Sequence, residues 1–160
     1  MCAIPSEYYE CQYHSSALFR CLFKPYDHQL IEYLERWITN ASATEMTIIG
    51  RLLREANGAF VFEQKEFVSR YLTAALDHGH EVYEHALSSL SVAATSGIRS
   101  RTRGEASEKD LTLKSRSEEA ISTLPRTAPE YRLYAEILKH AKHEIQYASI
   151  EREALEDEDD

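Results

Sequence analysis

Apolar side chains recur along most of the chain at the three- and four-residue spacing of an amphipathic helix. The first clear helix is predicted from Asp27, a good N-cap, to about Thr39, and its apolar face is formed by Leu30, Ile31, Leu34, Trp37 and Ile38. A second is predicted from a cap at Thr44 to a stop at Asn57 and Gly58, with its face formed by Ile48, Ile49, Leu52, Leu53 and Ala56. The short link between them indicates an antiparallel hairpin.

A second hairpin is predicted further along the chain, where two apolar stripes are each followed by a glycine, Gly79 and Gly97. The apolar run of residues 60–62 is interpreted as the buried entry to this hairpin rather than as a strand, because no partner strand is in view. The spacing of the two hairpins lies in the range of two-helix solenoid repeats.

After a break in the periodicity at residues 96–109, two more helices are predicted. Ser107 and Asp110 are typical of a capping box at the start of the first, which ends at Pro125. Thr127 and Glu130 form a second such pattern around Pro129, and the long helix that follows is expected to end near residue 152. Residues 26–152 are therefore predicted to form one helical domain, residues 153–160 an acidic disordered tail, and residues 1–25 a separate segment rich in aromatic residues and cysteine that could hold a helix.

The composition supports a helical fold. The chain of 160 residues has only 5 Gly and 4 Pro, too few for the frequent turns of a sandwich, barrel or propeller. No apolar run is long enough for a membrane span, and a signal peptide is not indicated, so we expect a cytoplasmic protein. The three cysteines lack the spacing of a disulfide framework or zinc site. We therefore predict an all-α protein with five to six helices in antiparallel hairpins, arranged as a short solenoid or an irregular bundle.

Five segments carry a resemblance to known proteins, in the order WI, LLREANGAFVF, EFVSRYL, SRTRGEAS and LPRTAPEYRLYAEILKHA. From about residue 30 to 155 the chain resembles the HEAT-like helical regions of bacterial multidomain proteins and of their small relatives. Such regions are usually scaffolds or regulatory modules. The resemblance thus implies a short HEAT-like solenoid that binds a partner, and it implies no catalytic residue.

The charge pattern identifies a first candidate site. The net charge of -9 is concentrated at the C-terminal end, so the body of the chain is nearly neutral. Within it, Arg99, Arg101 and Arg103 stand two residues apart, and an extended backbone would place all three guanidinium groups on one side. They are candidates for binding a protein partner, a nucleic-acid backbone or the chain's own EDEDD sequence, and a solvated loop is the alternative. A second candidate contact surface, with core packing as its alternative, consists of Tyr8, Tyr9 and Tyr13.

Two groups of residues of the types that bind metals lie at helical spacing. The first consists of His80, Glu81 and His85, and the second of His140 and Glu144. A zinc protease motif needs histidines four residues apart, whereas His80 and His85 are five apart. Surface histidines are therefore the competing interpretation.

We take a non-enzymatic protein–protein interaction or regulatory module without a cofactor as the preferred hypothesis, with a protein partner or a homo-oligomer. The alternative is a metal-dependent helical enzyme that uses the two His/Glu groups. A nucleic-acid-associated adaptor is the third hypothesis, which the absence of net positive charge in the body of the chain disfavours.

Overall fold

A computed structural model of the chain describes residues 27–56, 58–97 and 99–158. These residues are helical with connecting turns and contain no strand, which confirms the all-α prediction. Their seven helices are α1 (Asp27–Ile38), α2 (Ala43–Leu53), α3 (Phe60–Glu63), α4 (Lys65–Asp77), α5 (His80–Thr95), α6 (Glu108–Thr123) and α7 (Pro129–Glu158). The helix predicted within residues 1–25 and the candidate residues Tyr8, Tyr9 and Tyr13 lie outside the described residues. No helix in the described ranges is both long and apolar enough to cross a membrane.

The chain divides into two compact units between Ala93 and Ala94, where the sequence pattern predicted one helical domain. We call them the N-terminal unit, which ends at Ala93, and the C-terminal unit, which begins at Ala94.

The N-terminal unit buries the apolar faces of α1, α2, α4 and most of α5. Its fully buried side chains include Leu34, Met46, Ile49, Leu53, Phe67, Tyr71, Leu72, Leu87 and Leu90. Residues 60–62 are buried, but they form a separate helical turn, α3, which has Gln64 as its C-cap and is followed by α4.

Helix α2 begins two residues earlier than a Thr44 cap would place it. Its N-cap is Ser42, whose side chain accepts a hydrogen bond from the backbone N–H of Glu45 at 3.3 Å. The Glu45 carboxylate in turn accepts one from the backbone N–H of Ser42 at 2.8 Å. This reciprocal pair satisfies two backbone donors at once, which explains why the helix begins here rather than at Thr44.

The C-terminal unit is a hairpin of α6 and α7. Ser107 caps α6 as predicted, and α7 begins at Pro129, one residue later than a cap at Thr127 would place it. Helix α7 is 30 residues long and α6 only 16, so α7 extends well past its partner. It ends at Glu158 instead of near residue 152, so residues 153–158 are helical where an acidic tail was predicted.

Candidate functional site

The segment between α5 and α6, residues 96–107, holds the three candidate arginines, and we call it the arginine loop. The Arg99 guanidinium donates from Nε to Oδ1 of Asp110 at 3.0 Å. Its Nη2 donates to the carbonyl oxygen of Thr95 at 2.9 Å and lies 2.6 Å from Nε2 of His140. One side chain thus ties together the end of α5, the start of α6 and the middle of α7.

Asp110 is the buried anchor of this cluster. Its side chain is 2% exposed and that of Arg99 is 23% exposed. The second carboxylate oxygen accepts a hydrogen bond from the Ser107 hydroxyl at 2.5 Å, and the Ser107 oxygen accepts one from the backbone N–H of Asp110 at 3.1 Å. A buried carboxylate needs an opposite charge and hydrogen bonds, and here it also lies in the first turn of α6, where the helix dipole favours an anion.

Lys109 closes the other side of the loop. Its Nζ donates to the carbonyl oxygens of Thr95, at 3.4 Å, and of Ser96. Burial lowers the pKa of the Lys109 ammonium, the positive charge of Arg99 lowers it further, and the negative charge of Asp110 opposes both. The two hydrogen bonds place the Lys109 side chain at the carboxyl end of α5, where carbonyl groups lack helical partners.

Arg101 fastens the loop to the part of α7 that extends past α6. Its Nη1 donates to Oε2 of Glu151 at 2.5 Å, and its guanidinium lies 5.9 Å from the centre of the Tyr147 ring. The hydrogen bond from Arg101 lowers the pKa of Glu151, and the backbone N–H of Gly104 and the charge of Arg103 act in the same direction. Glu151 is therefore held as a carboxylate.

Gly104 allows the loop backbone to approach α7 closely. Its φ is +82°, in the left-handed region, and an added Cβ would lie 3.2 Å from the Cα of Arg152. A side chain at this position would be strained by the backbone conformation and crowded by the helix.

The three candidate arginines therefore have different surroundings. Arg99 and Arg101 bind carboxylates of their own chain, Asp110 and Glu151, which both precede the EDEDD sequence. Arg103 is exposed. The structure brings the arginine loop onto α7, but it does not present three equivalent guanidinium groups to a partner.

A face of α7 that points away from the core lies beside the arginine loop. Tyr147 is 51% exposed and Ile150 is 55% exposed. They lie on one surface with exposed residues a turn before and a turn after, and we call this set the outer stripe: His143, Tyr147, Ile150 and Ala154. Ile150 is on the far side of the helix from the buried residues Ile137 and Ala141.

The metal-ligand candidates are divided between the two units. His80, Glu81 and His85 belong to the N-terminal unit, whereas His140 and Glu144 belong to the C-terminal unit. His80 is exposed and pairs with Glu84 at 3.3 Å. Within the described ranges, no three His, Cys, Asp or Glu side chains are placed to hold a metal ion.

A polar cluster around Gly50 in the N-terminal unit is absent from the sequence predictions. A Cβ on Gly50 would lie 2.8 Å from the Tyr71 hydroxyl, 3.0 Å from His85 Nδ1 and 3.1 Å from the Ser89 hydroxyl. The Tyr71 hydroxyl donates to the carbonyl oxygen of Met46 at 3.0 Å, and Arg54 donates to the Ser89 hydroxyl at 3.3 Å. A glycine in the middle of an amphipathic helix was the one sequence signal for this close packing.

In comparisons with known proteins, no family model, curated protein or solved structure matches the chain.

Proposed function

We propose that the protein is a non-enzymatic protein–protein interaction module and that the outer stripe of α7 is its contact surface. The observation that carries the proposal is the exposure of Tyr147 and Ile150, 51% and 55%, at adjacent positions on a regular helix. A large apolar side chain contributes to the free energy of binding when a partner covers it and removes it from water, and Tyr is enriched at interfaces. The resemblance of the sequence to HEAT-like helical regions agrees with this role.

The arginine loop supports the surface in two ways. The Arg101 guanidinium lies over the Tyr147 ring, 5.9 Å from its centre, and we expect it to favour this position of the ring. A contact residue that is already ordered loses less conformational entropy when a partner binds. Arg103, exposed and close enough to influence Glu151, adds a positive charge near the apolar pair that can select an acidic side chain on the partner.

Site-specific photo-crosslinking tests this proposal. A photoreactive amino acid would replace Ile150 in the full chain, and the matched control would replace Leu111 of α6, which is 50% exposed and therefore equally accessible. We expect discrete protein adducts from position 150 in cells and none from position 111. The absence of adducts from position 150, or the same adducts from both positions, would contradict the proposal. A further copy of the chain and an unrelated protein would both count as a partner here.

A further inference from the structure

We infer that the occupant of the outer stripe is a second copy of this chain, paired through two antiparallel α7 helices. The inference rests on the proposed function, because it names the partner of the same surface. Two features of α7 support it: the spacing of the residues in the stripe and the distribution of charge along the helix.

The stripe is complementary to itself. Its members are separated by four, three and four positions, so the pattern is symmetric about the midpoint between Tyr147 and Ile150. In an interface with two-fold symmetry, if one residue contacts another across the interface, the reverse contact also occurs. Antiparallel pairing about that midpoint places Tyr147 of each copy against Ile150 of the other, and His143 against Ala154, over about 17 Å of helix.

The charges of α7 favour the antiparallel arrangement. The half from residue 129 to 143 contains Arg132, Lys139 and Lys142 against two glutamates, whereas the half from 144 to 158 contains six acidic residues and one arginine. A parallel pair would bring the two acidic halves together. An antiparallel pair about the midpoint between Tyr147 and Ile150 lays residues 154–158 of each copy, which hold three acidic residues, along residues 139–143 of the other, which hold Lys139 and Lys142. It also places Lys142 within one turn of Glu153, and both residues are exposed.

The helix dipole adds a reason why a positively charged partner would stabilise the last turns of α7. The carboxyl end of a helix carries a partial negative charge, so acidic side chains in the last turns are unfavourable in an isolated helix. Lysines of a second α7 would offset that repulsion. The same lysine and glutamate positions serve both copies, and for this reason we choose a second copy over an unrelated basic protein.

The arginine loop leaves the stripe accessible for this pairing. The loop binds Glu151 and approaches Arg152 beside the stripe, and Tyr147 remains half exposed although the Arg101 guanidinium lies over its ring. A second α7 can therefore approach without displacement of the loop.

Sedimentation velocity on the purified full chain tests the inference over a concentration series from about 1 to about 200 µM, a range that covers affinities typical of transient homodimers. We expect dimers that dissociate on dilution. Ile150→Glu should raise the dissociation constant at least about tenfold, the effect of losing one central contact residue. Leu111→Glu, at a similarly exposed position outside the stripe, should leave the dissociation constant unchanged.

Exchanging the charges of Lys142 and Glu153 gives a second test of the dimer. A variant that had lost its fold would not regain affinity when the second substitution is added. Lys142→Glu and Glu153→Lys should each weaken the dimer, and the double variant should recover most of the wild-type affinity because the pair is restored with reversed sign. Lys142 also forms an exposed pair with Glu118 at 3.4 Å, and a circular dichroism spectrum of each variant verifies that the fold is retained.

Three results would overturn the inference: a monomer throughout the series, a dimer indifferent to Ile150→Glu, or a double variant as weak as the single variants. A monomeric protein whose position 150 still crosslinks to another protein would refute the second copy and leave the proposed function standing. A monomer that forms no adducts from position 150 would refute both.

Discussion

Nη2 of Arg99 lies 2.6 Å from Nε2 of His140, and this contact joins the arginine loop to the middle of α7. An arginine side chain only donates hydrogen bonds, so Nε2 of the imidazole is the acceptor in this contact. Together with the pair between Arg101 and Glu151, the contact holds the loop against α7 at two points. The arginine loop is thus fixed on α7, and it also lies beside the proposed contact surface.

We expect His140→Ala to loosen the arginine loop without unfolding the C-terminal unit. Arg99 keeps its bonds to Asp110 and Thr95 in this variant but loses its contact with α7. Trypsin cleaves after arginine, so cleavage at Arg101 and Arg103 should become several-fold faster. The rate is measured by mass spectrometry of the fragments under native conditions, where cleavage follows local opening.

Two variants provide the controls for this measurement. His140→Gln retains an acceptor oxygen and should be cleaved at a rate closer to that of the wild type. Gln146→Ala removes an exposed side chain from the same helix and should have no effect. Equal cleavage rates for His140→Ala and Gln146→Ala would show that the contact does not hold the loop.

Asp110→Asn should lower the free energy of unfolding by about 2 to 3 kcal/mol. Loss of one partner from a fully buried ion pair costs about 3 to 5 kcal/mol, and the value is smaller here because Arg99 is 23% exposed and water can solvate it in part. Ser107→Ala, which removes the helix cap, should cost about 1 kcal/mol.

Because Ser107 and Asp110 are in direct contact, the double variant should lower the free energy of unfolding by less than the sum of the two single variants. The three variants are compared by urea denaturation followed by circular dichroism. An unfolding curve of Asp110→Asn that superimposes on that of the wild type would contradict the structural role of the carboxylate.

The start of α6 and the end of α7 show which features the sequence could predict. The α6 cap depends on Ser107 and Asp110, three residues apart, so a local pattern is sufficient to find it. The last turns of α7 look like a solvated acidic tail when read locally. The arginine loop contacts α7 at Glu151 and lies close to Arg152, just before these turns, and hydrophobic periodicity contains no information about such a tertiary contact.

The sequence pattern indicated the three arginines as a candidate site, but it indicated neither their partners nor the outer stripe. The two-residue spacing of the arginines predicts a common side only if the backbone is extended, and it cannot reveal that the partner of Arg101 lies 50 positions away. The partner of Arg99 on α7 is similarly distant, at 41 positions. Pairings of this kind depend on how the helices pack and were not deducible from one sequence.

Gly50→Ala should destabilise the N-terminal unit by about 1 to 3 kcal/mol, the usual cost of an overpacked core. In an exposed helix the same change would stabilise the fold by about 1 kcal/mol. A destabilising effect of Gly50→Ala would therefore show that the added Cβ is crowded by the Tyr71 hydroxyl, which would lie 2.8 Å from it. Tyr71→Phe removes that oxygen and should itself cost about 1 kcal/mol through the lost hydrogen bond to Met46. In urea denaturation the double variant should lose less free energy of unfolding than the sum of the two single variants. Equal values would indicate that the Tyr71 hydroxyl does not crowd the added Cβ.

His85 makes the stability of the N-terminal unit sensitive to acid. Burial lowers the pKa of its imidazole below the usual 6.5, and the positive charges of Arg54 and Arg51 lower it further. Its Nδ1 is buried without a hydrogen-bond partner among the described residues. The unfolded chain therefore takes up a proton near pH 6.5 that the folded chain does not, so the contribution of His85 is fully present above that pH and is lost as the pH falls towards its lower folded-state pKa.

We therefore expect the free energy of unfolding to decrease between about pH 7.5 and about pH 5.5, where histidine ordinarily changes its charge. His85→Gln replaces the imidazole with a neutral side chain of similar polarity and should show a smaller decrease over the same range. His80→Gln removes a histidine that is exposed and lies in the same helix, and it should retain the wild-type dependence. The measurement is urea denaturation at several pH values for the three proteins. If His85→Gln loses stability with acid as steeply as His80→Gln does, a group other than His85 is responsible for the acid sensitivity.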